Sequence, residues 1–80
     1  MQPEDVQLSL RGDVSDAALQ QVLAALRADP SWALLEPFRS DQEWVFQAVY
    51  RPTGTPYGFP ATRVGADTWH CARRGGWLGR

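Results

Sequence analysis

Lysine, isoleucine and asparagine are absent from this chain, so all eight of its positively charged side chains are arginine. The codons of these three amino acids are AT-rich, and their joint absence indicates a GC-rich genome, that of a bacterium or of a phage that infects one. Arginine is normally favoured where a planar cation must bind phosphate or carboxylate through two hydrogen bonds. Because this composition offers no other cation, the use of arginine carries little information about function.

Cysteine and histidine occur once each, as the neighbours Cys71 and His70. A single cysteine excludes an internal disulfide framework. A zinc site takes three or four ligands, and no ligand spacing of that kind occurs, so we expect neither a metal nor another cofactor. A cysteine–histidine dyad needs both side chains on one side of the backbone, whereas neighbours in a strand point to opposite faces. We therefore expect a protein that is not an enzyme.

Long apolar runs are missing as well. Purely apolar segments such as Trp32–Leu35, with four residues, and Val22–Leu26, with five, are far short of a membrane span. The first residues are acidic, where a secretory signal would be basic and then apolar. Eighty residues, of which 44% are hydrophobic, suit one folded domain, residues 1–80. These features predict a small cytoplasmic domain without membrane contact.

The charges are divided unevenly along the chain. Residues 1–50 carry eight acids against three arginines, and residues 51–80 carry five arginines against one acid. Such asymmetry can mark a surface for nucleic acid or for an acidic partner. The alternative is that the two halves fold together and their charges interleave, as expected in one small domain.

The first two elements are predicted from opposite periodicities. Residues 6–11 alternate apolar and polar side chains, which predicts a half-buried strand with Val6, Leu8 and Leu10 inward. Residues 16–28 have apolar side chains at helical spacing, and Asp13 or Ser15 can cap that helix. The buried face of the helix is predicted to hold Leu19, Val22, Leu23 and Leu26.

The next segments are predicted to form the rest of a sheet. Residues 31–39 can be a helical turn or a short edge strand, and we favour a turn followed by the edge strand. Ser40–Gln42 is typical of a hairpin turn, and Glu43–Arg51 of a central strand that is rich in aromatic and β-branched residues.

The remainder is read as a loop, a hairpin and a tail. Residues 52–60 are punctuated by proline and glycine, which predicts a loop. Residues 61–74 hold one or two strands with a turn at Gly65–Asp67, and Gly75 and Gly76 end regular structure, leaving residues 75–80 as a flexible tail. The order β-α-β-β-β predicts an α+β domain, a small antiparallel sheet of four or five strands with one helix on one face.

Four tryptophans in 80 residues are the clearest anomaly of the composition. Trp32 and Trp44 lie in apolar segments and are predicted to be core residues. Trp69 and Trp77 lie among arginines, and Trp and Arg dominate interface hot spots and also contact nucleic acids. In the alternative, Trp77 packs back on the domain and fixes the tail. The candidate partner-binding residues are Tyr57, Phe59, Trp69, Arg73, Arg74 and Trp77.

These observations favour a small protein-interaction module that binds a protein partner. Small inhibitors, immunity proteins and virus-encoded anti-defence factors share this profile of size and composition. The alternative is a domain that binds single-stranded nucleic acid through the aromatic and arginine-rich C-terminal half. The sequence pI of about 5.6 and the acidic first half disfavour that alternative.

Overall fold

The computed structural model describes residues 1–71 in full and the backbone of residues 76 and 77. The helices are α1 (Pro3–Ser9) and α2 (Asp16–Ala28). The strands are β1 (Gly12–Ser15), β2 (Trp32–Leu34), β3 (Phe38–Ser40), β4 (Glu43–Tyr50), β5 (Thr55–Arg63), β6 (Thr68–Cys71) and β7 (Gly76–Trp77). The α+β class is therefore as predicted, with one helix and two strands more than the sequence interpretation allowed.

All seven strands join one antiparallel sheet in the order β1-β6-β5-β4-β2. β3 pairs with β4 beside β2, and β7 pairs with β5 beside β6. The acidic first half and the basic second half interleave, because β1 pairs with β6 and β4 with β5. The Asp16 carboxylate lies 3.7 Å from the Arg63 guanidinium, across the two halves. The strands of the two halves are therefore interleaved, as the second alternative requires, while Arg73, Arg74 and Arg80 lie outside the described residues.

The predicted first strand is wrong, because most of it is the helix α1. Val6 and Leu10 are buried, whereas Leu8 between them is 64% exposed. Burial at positions four apart is the period of a helix, and a strand would bury all three side chains. Pro3 stands at the start of α1, where its missing N–H costs nothing, and the Gln2 N–H donates to Asp5 Oδ2 at 3.1 Å. Gly12, with a φ of 69°, then turns the chain into β1.

The prediction for α2 is confirmed. Of the two capping candidates, Ser15 is the cap, and its Oγ accepts a hydrogen bond from the Ala18 N–H at 3.1 Å. Leu19, Leu23 and Leu26 are buried in the core. Val22 packs partly buried against them.

The predicted turn is present at residues 30 and 31, and it is followed by two short edge strands along β4, β2 and β3, rather than by one. Pro37 lies in the link between them, where no ladder hydrogen bond is needed. The hairpin turn and the central strand are confirmed: Asp41, with a φ of 56°, turns the chain between β3 and β4.

The predicted loop at residues 52–60 is wrong beyond Gly54, because β5 begins at Thr55. The Leu35 N–H donates to the Gln47 carbonyl, so odd-numbered residues of β4 turn their backbone groups toward β2. The register then makes Tyr57 and Phe59 hydrogen-bond with β4, whereas Pro56 and Pro60 turn their backbone away from it. Neither proline removes a hydrogen bond to β4, so proline is tolerated inside the sheet.

The core lies between the two helices and one face of the sheet. Trp32 is buried in it, as predicted, and Trp44 is partly buried against it. The cluster of buried core residues is Val6, Leu10, Val14, Leu19, Leu23, Leu26, Trp32, Ala48, Phe59, Ala61, Trp69 and Cys71.

Candidate functional site

The two faces of the sheet differ in their cover. Both helices share the core with one face, which carries Ala48, Phe59 and Trp69. The strand registers place the alternate residues on the opposite face, and the core cluster contains none of them. We call this opposite side the open face.

Apolar side chains occupy the centre of the open face in two rows that run across the strands. Phe38, Val45 and Pro60 are successive register partners on β3, β4 and β5. Ala33, Val49 and Pro56 form the second row on β2, β4 and β5. We call these six residues the open-face strip. Phe38 is 44% exposed, Val45 is 8% exposed and the other members are half-buried. Gln47 and Gly58 are register partners on β4 and β5 and lie between the two rows, so the strip consists of two short apolar rows with one exposed aromatic ring.

The charged side chains of the open face are mostly acidic. Asp13 on β1 and Glu43 on β4 occupy open-face positions. His70 lies beside Asp13, with its Nδ1 2.8 Å from the Asp13 Oδ1. No arginine stands at an open-face position of the strands within residues 1–71. An apolar centre with an acidic rim suits a protein surface better than a polyphosphate chain.

Three of the aromatic residues that the sequence singled out lie on the helix side instead. Phe59 is 3% exposed and Trp69 is 6% exposed, so neither ring offers area to a partner. Tyr57 is half-buried, and its ring lies 5.9 Å from that of Trp32 and 6.3 Å from that of Phe59. Their burial argues against a contact role for Phe59 and Trp69, because β5 and β6 turn these positions toward the helices.

Trp69 joins α2, β5 and β6 through polar contacts as well as burial. Its Nε1–H donates to Asp16 Oδ1 at 2.9 Å. The guanidinium of Arg63 lies 4.6 Å from the centre of its ring. An arginine over an indole is a favourable cation–π arrangement. A Trp–Arg pair of the kind that suggested a partner surface is thus formed within the chain, between Trp69 and Arg63.

The remaining predicted site residues lie at the C-terminal end. Arg73 and Arg74 lie outside the described residues. The backbone of Gly76 and Trp77 forms β7, so regular structure does not end at Gly76. Trp77 is the register partner of Tyr57, and Gly76 that of Gly58. The backbone of the chain thus pairs with the sheet again at β5. This is what the alternative of a tail fixed on the domain requires of the backbone.

Cys71 and His70 point to opposite faces, as predicted. Cys71 is 2% exposed on the helix side, and His70 is exposed on the open face. Burial raises the pKa of the Cys71 thiol, and the negative charge of Asp13 raises it further. A thiol acts as a nucleophile only as the thiolate, and a raised pKa keeps it protonated. Cys71 therefore serves as a small apolar side chain of the core.

The open-face strip was missed by the sequence interpretation. Its signal in the sequence is the alternation of side chains in residues 55–63. This alternation is overlooked when Pro56 and Pro60 are interpreted as residues that interrupt a strand. The exposed Phe38 was placed on an edge strand, but nothing in the sequence indicates which face of the sheet stays uncovered.

The comparisons with known proteins give no family: no protein-family model, no curated protein and no solved structure matches this chain. Within the described residues, no helix is long and apolar enough to cross a membrane. The same part of the chain holds no group of three or more His, Cys, Asp or Glu side chains placed to bind a metal ion.

Proposed function

We propose that this protein is a small interaction module that binds a partner protein through the open face. The observation that carries the proposal is the open-face strip. Each of its two rows crosses three strands of the sheet, and its Phe38 side chain is 44% exposed. Contiguous exposed apolar surface with a polar rim marks interaction sites in small proteins. A large exposed aromatic side chain is a typical anchor of an interface, and Phe38 stands at the β3 end of its row.

The charges on the open face indicate the chemistry of the partner. Asp13 and Glu43 flank the strip, and no arginine balances them at an open-face position of the described strands. The complementary surface is apolar at its centre and basic at its rim. A nucleic acid would meet carboxylates where it needs cations, so the structure favours a protein over single-stranded nucleic acid.

The C-terminal residues of the sequence prediction stay in the proposal as a second contact region. β7 extends the sheet beside β5, with Gly76 opposite Gly58 and Trp77 opposite Tyr57, so the backbone at Trp77 lies next to the sheet. Among the functions that proceed by binding alone, inhibition, immunity and anti-defence suit a domain of this size.

A capture experiment with matched variants tests the proposal. The immobilised protein is exposed to lysate of a GC-rich bacterium, with and without nuclease treatment, as wild type, as Phe38→Thr/Val49→Thr, and as Leu8→Gln. Threonine keeps strand propensity while it removes apolar area. Leu8→Gln removes an apolar side chain of α1 that is 64% exposed, more than the 44% of Phe38. We expect wild type and Leu8→Gln to retain a protein whose capture falls by about tenfold or more in the double variant, since interface anchors carry most of the binding energy.

Three outcomes contradict the proposal. Equal capture by the wild type and the folded double variant would show that the strip is not the contact surface. Loss of capture after nuclease treatment would identify a nucleic-acid ligand. Light scattering that shows a dimer of this chain, abolished by Phe38→Thr/Val49→Thr, would show that the strip is covered by a second copy.

A further inference from the structure

A groove of about 810 Å³ lies between α2 and the outer edge of β2, and of the open-face strip only Ala33 lines it. Gln20, Leu23 and Arg27 line it from α2, where their spacing places them along one side of the helix. Leu34 and Phe46 supply apolar side chains from the sheet. This volume lies within the range of about 300–1,000 Å³ that is usual for ligand sites.

β2 presents an unpaired strand edge to this groove. It ends the sheet and pairs with β4 alone among the described strands. The N–H of Arg51 donates to the Ser31 carbonyl, and the N–H of Leu35 donates to the Gln47 carbonyl. The backbone N–H and C=O groups of the odd-numbered residues along β2 therefore face β4. The N–H and C=O of Leu34 therefore face the groove. An edge of this kind can accept an extended peptide as a further strand.

Two arginines give one end of the groove a positive charge. Arg51 Nε donates to the Trp32 carbonyl at 3.3 Å, which holds its guanidinium at the start of β2. Arg27 lies in the last turn of α2, which leads into β2, and it makes no ion pair with any residue of the described part. Guanidinium groups bind carboxylates through paired, charge-assisted hydrogen bonds. Glu36 lies at the other end, beyond Leu35, so the charge of the groove is polarised along its length.

We propose that this groove binds an extended acidic peptide segment of a partner protein. The segment adds to β2 through the backbone of Leu34, packs an apolar side chain against Leu23 and Phe46, and places a carboxylate at Arg27 and Arg51. This inference rests on the proposed function insofar as the ligand is a protein, but it concerns a different surface.

A display selection supplies the probe. A library of random linear ten-residue peptides is selected on the immobilised full chain, and the enriched peptides are labelled for fluorescence anisotropy. We expect them to contain an apolar residue close to Asp or Glu. Arg27→Gln/Arg51→Gln should weaken their binding at least about tenfold, as expected when charge-assisted pairs are lost. Arg11→Gln, at an exposed arginine that does not line the groove, should leave it within about twofold.

Amide spectra separate addition to the strand from surface attraction. On binding of the enriched peptide, the Leu34 amide should shift and become protected from solvent exchange, because it gains a hydrogen-bond acceptor. Shifts confined to arginine side chains would contradict strand addition.

The following outcomes contradict peptide binding in the groove. Enrichment without acidic residues, an empty selection, or unchanged binding by Arg27→Gln/Arg51→Gln overturns the inference. Binding that is lost instead in Phe38→Thr/Val49→Thr assigns the peptides to the open face, which overturns the groove and leaves the proposed function standing. A dimer that pairs β2 with β2, seen by light scattering and competed by no peptide, assigns the edge to a second copy.

Discussion

At the scale of single residues, neither the type of an aromatic residue nor its neighbours in the sequence determined whether its side chain is exposed. Trp69 has exposed residues and arginines near it along the chain. Its side chain is nevertheless 6% exposed, and its indole N–H donates a hydrogen bond to Asp16. Phe38 lies in an unremarkable segment and projects from the sheet. The difference arises from strand register, since a shift of one position moves a side chain to the other face.

Leu23→Ala should lower the free energy of unfolding by about 2–4 kcal/mol, because a buried leucine leaves a cavity when it is truncated. Leu23 lies at the centre of the buried side of α2. The melting temperature should fall by roughly 8 °C or more in a domain of this size, as measured by circular dichroism.

Leu35→Ala is the matched control, since Leu35 is 43% exposed. It should change the free energy of unfolding by less than about 0.5 kcal/mol, as surface substitutions usually do. Similar losses in the two variants would mean that burial is not what distinguishes these leucines.

At the scale of elements, α1 shows how a short alternation can mislead. Val6, Leu8 and Leu10 satisfy a period of two, but Val6 and Leu10 alone satisfy helical spacing. Six residues do not distinguish the two periods by apolar pattern. The deciding signals lie before them, where Pro3 and the Gln2–Asp5 hydrogen bond begin a helix.

Leu8→Ala and Leu10→Ala distinguish the helix from a strand. Leu10 is 2% exposed, so its truncation should cost about 2–4 kcal/mol of unfolding free energy. Leu8→Ala should cost less than about 0.5 kcal/mol because the side chain is in solvent. In a strand, both side chains would be on one face and both variants would be destabilised alike, so chemical denaturation of the pair decides the matter.

At the scale of the whole molecule, the chain forms one sheet from segments that differ in charge. Pairing of β1 with β6 and of β4 with β5 joins the two halves, so the described parts of the acidic and the basic half share one sheet. Because both helices cover the same side, the other side is left to the open-face strip. The position of the helices thus decides which face of the sheet is available to the proposed partner.

Trp77→Ala measures what the C-terminal end contributes to binding. β7 pairs with β5 through its backbone, which the substitution leaves intact. We expect the affinity for the captured partner to fall by about tenfold, the usual effect of losing a tryptophan anchor, with little change in the melting temperature. A partner protein should show a shallow dependence of affinity on salt between 50 and 200 mM, whereas a nucleic acid would show a steep one.

Trp77→Phe is the conservative control and should recover most of the affinity. A large fall in the melting temperature of Trp77→Ala, with affinity per folded molecule unchanged, would assign Trp77 to structure rather than to binding.

The amino-acid sequence by itself determined the α+β class, the extent of α2 and the position of β4. Residues 16–28 repeat the helical period over more than three turns and have a serine cap, and Glu43–Tyr50 is rich in residues that suit a sheet, so local chemistry outweighs context there. Tertiary structure alone decided that Pro56 and Pro60 could lie in β5, because the cost of a missing N–H depends on whether a paired strand faces it. Both prolines turn their backbone away from β4, and the described registers of β6 and β7 with β5 do not include them. It also decided the candidate surface, since the side of the sheet that the helices leave open depends on contacts between residues far apart in the chain.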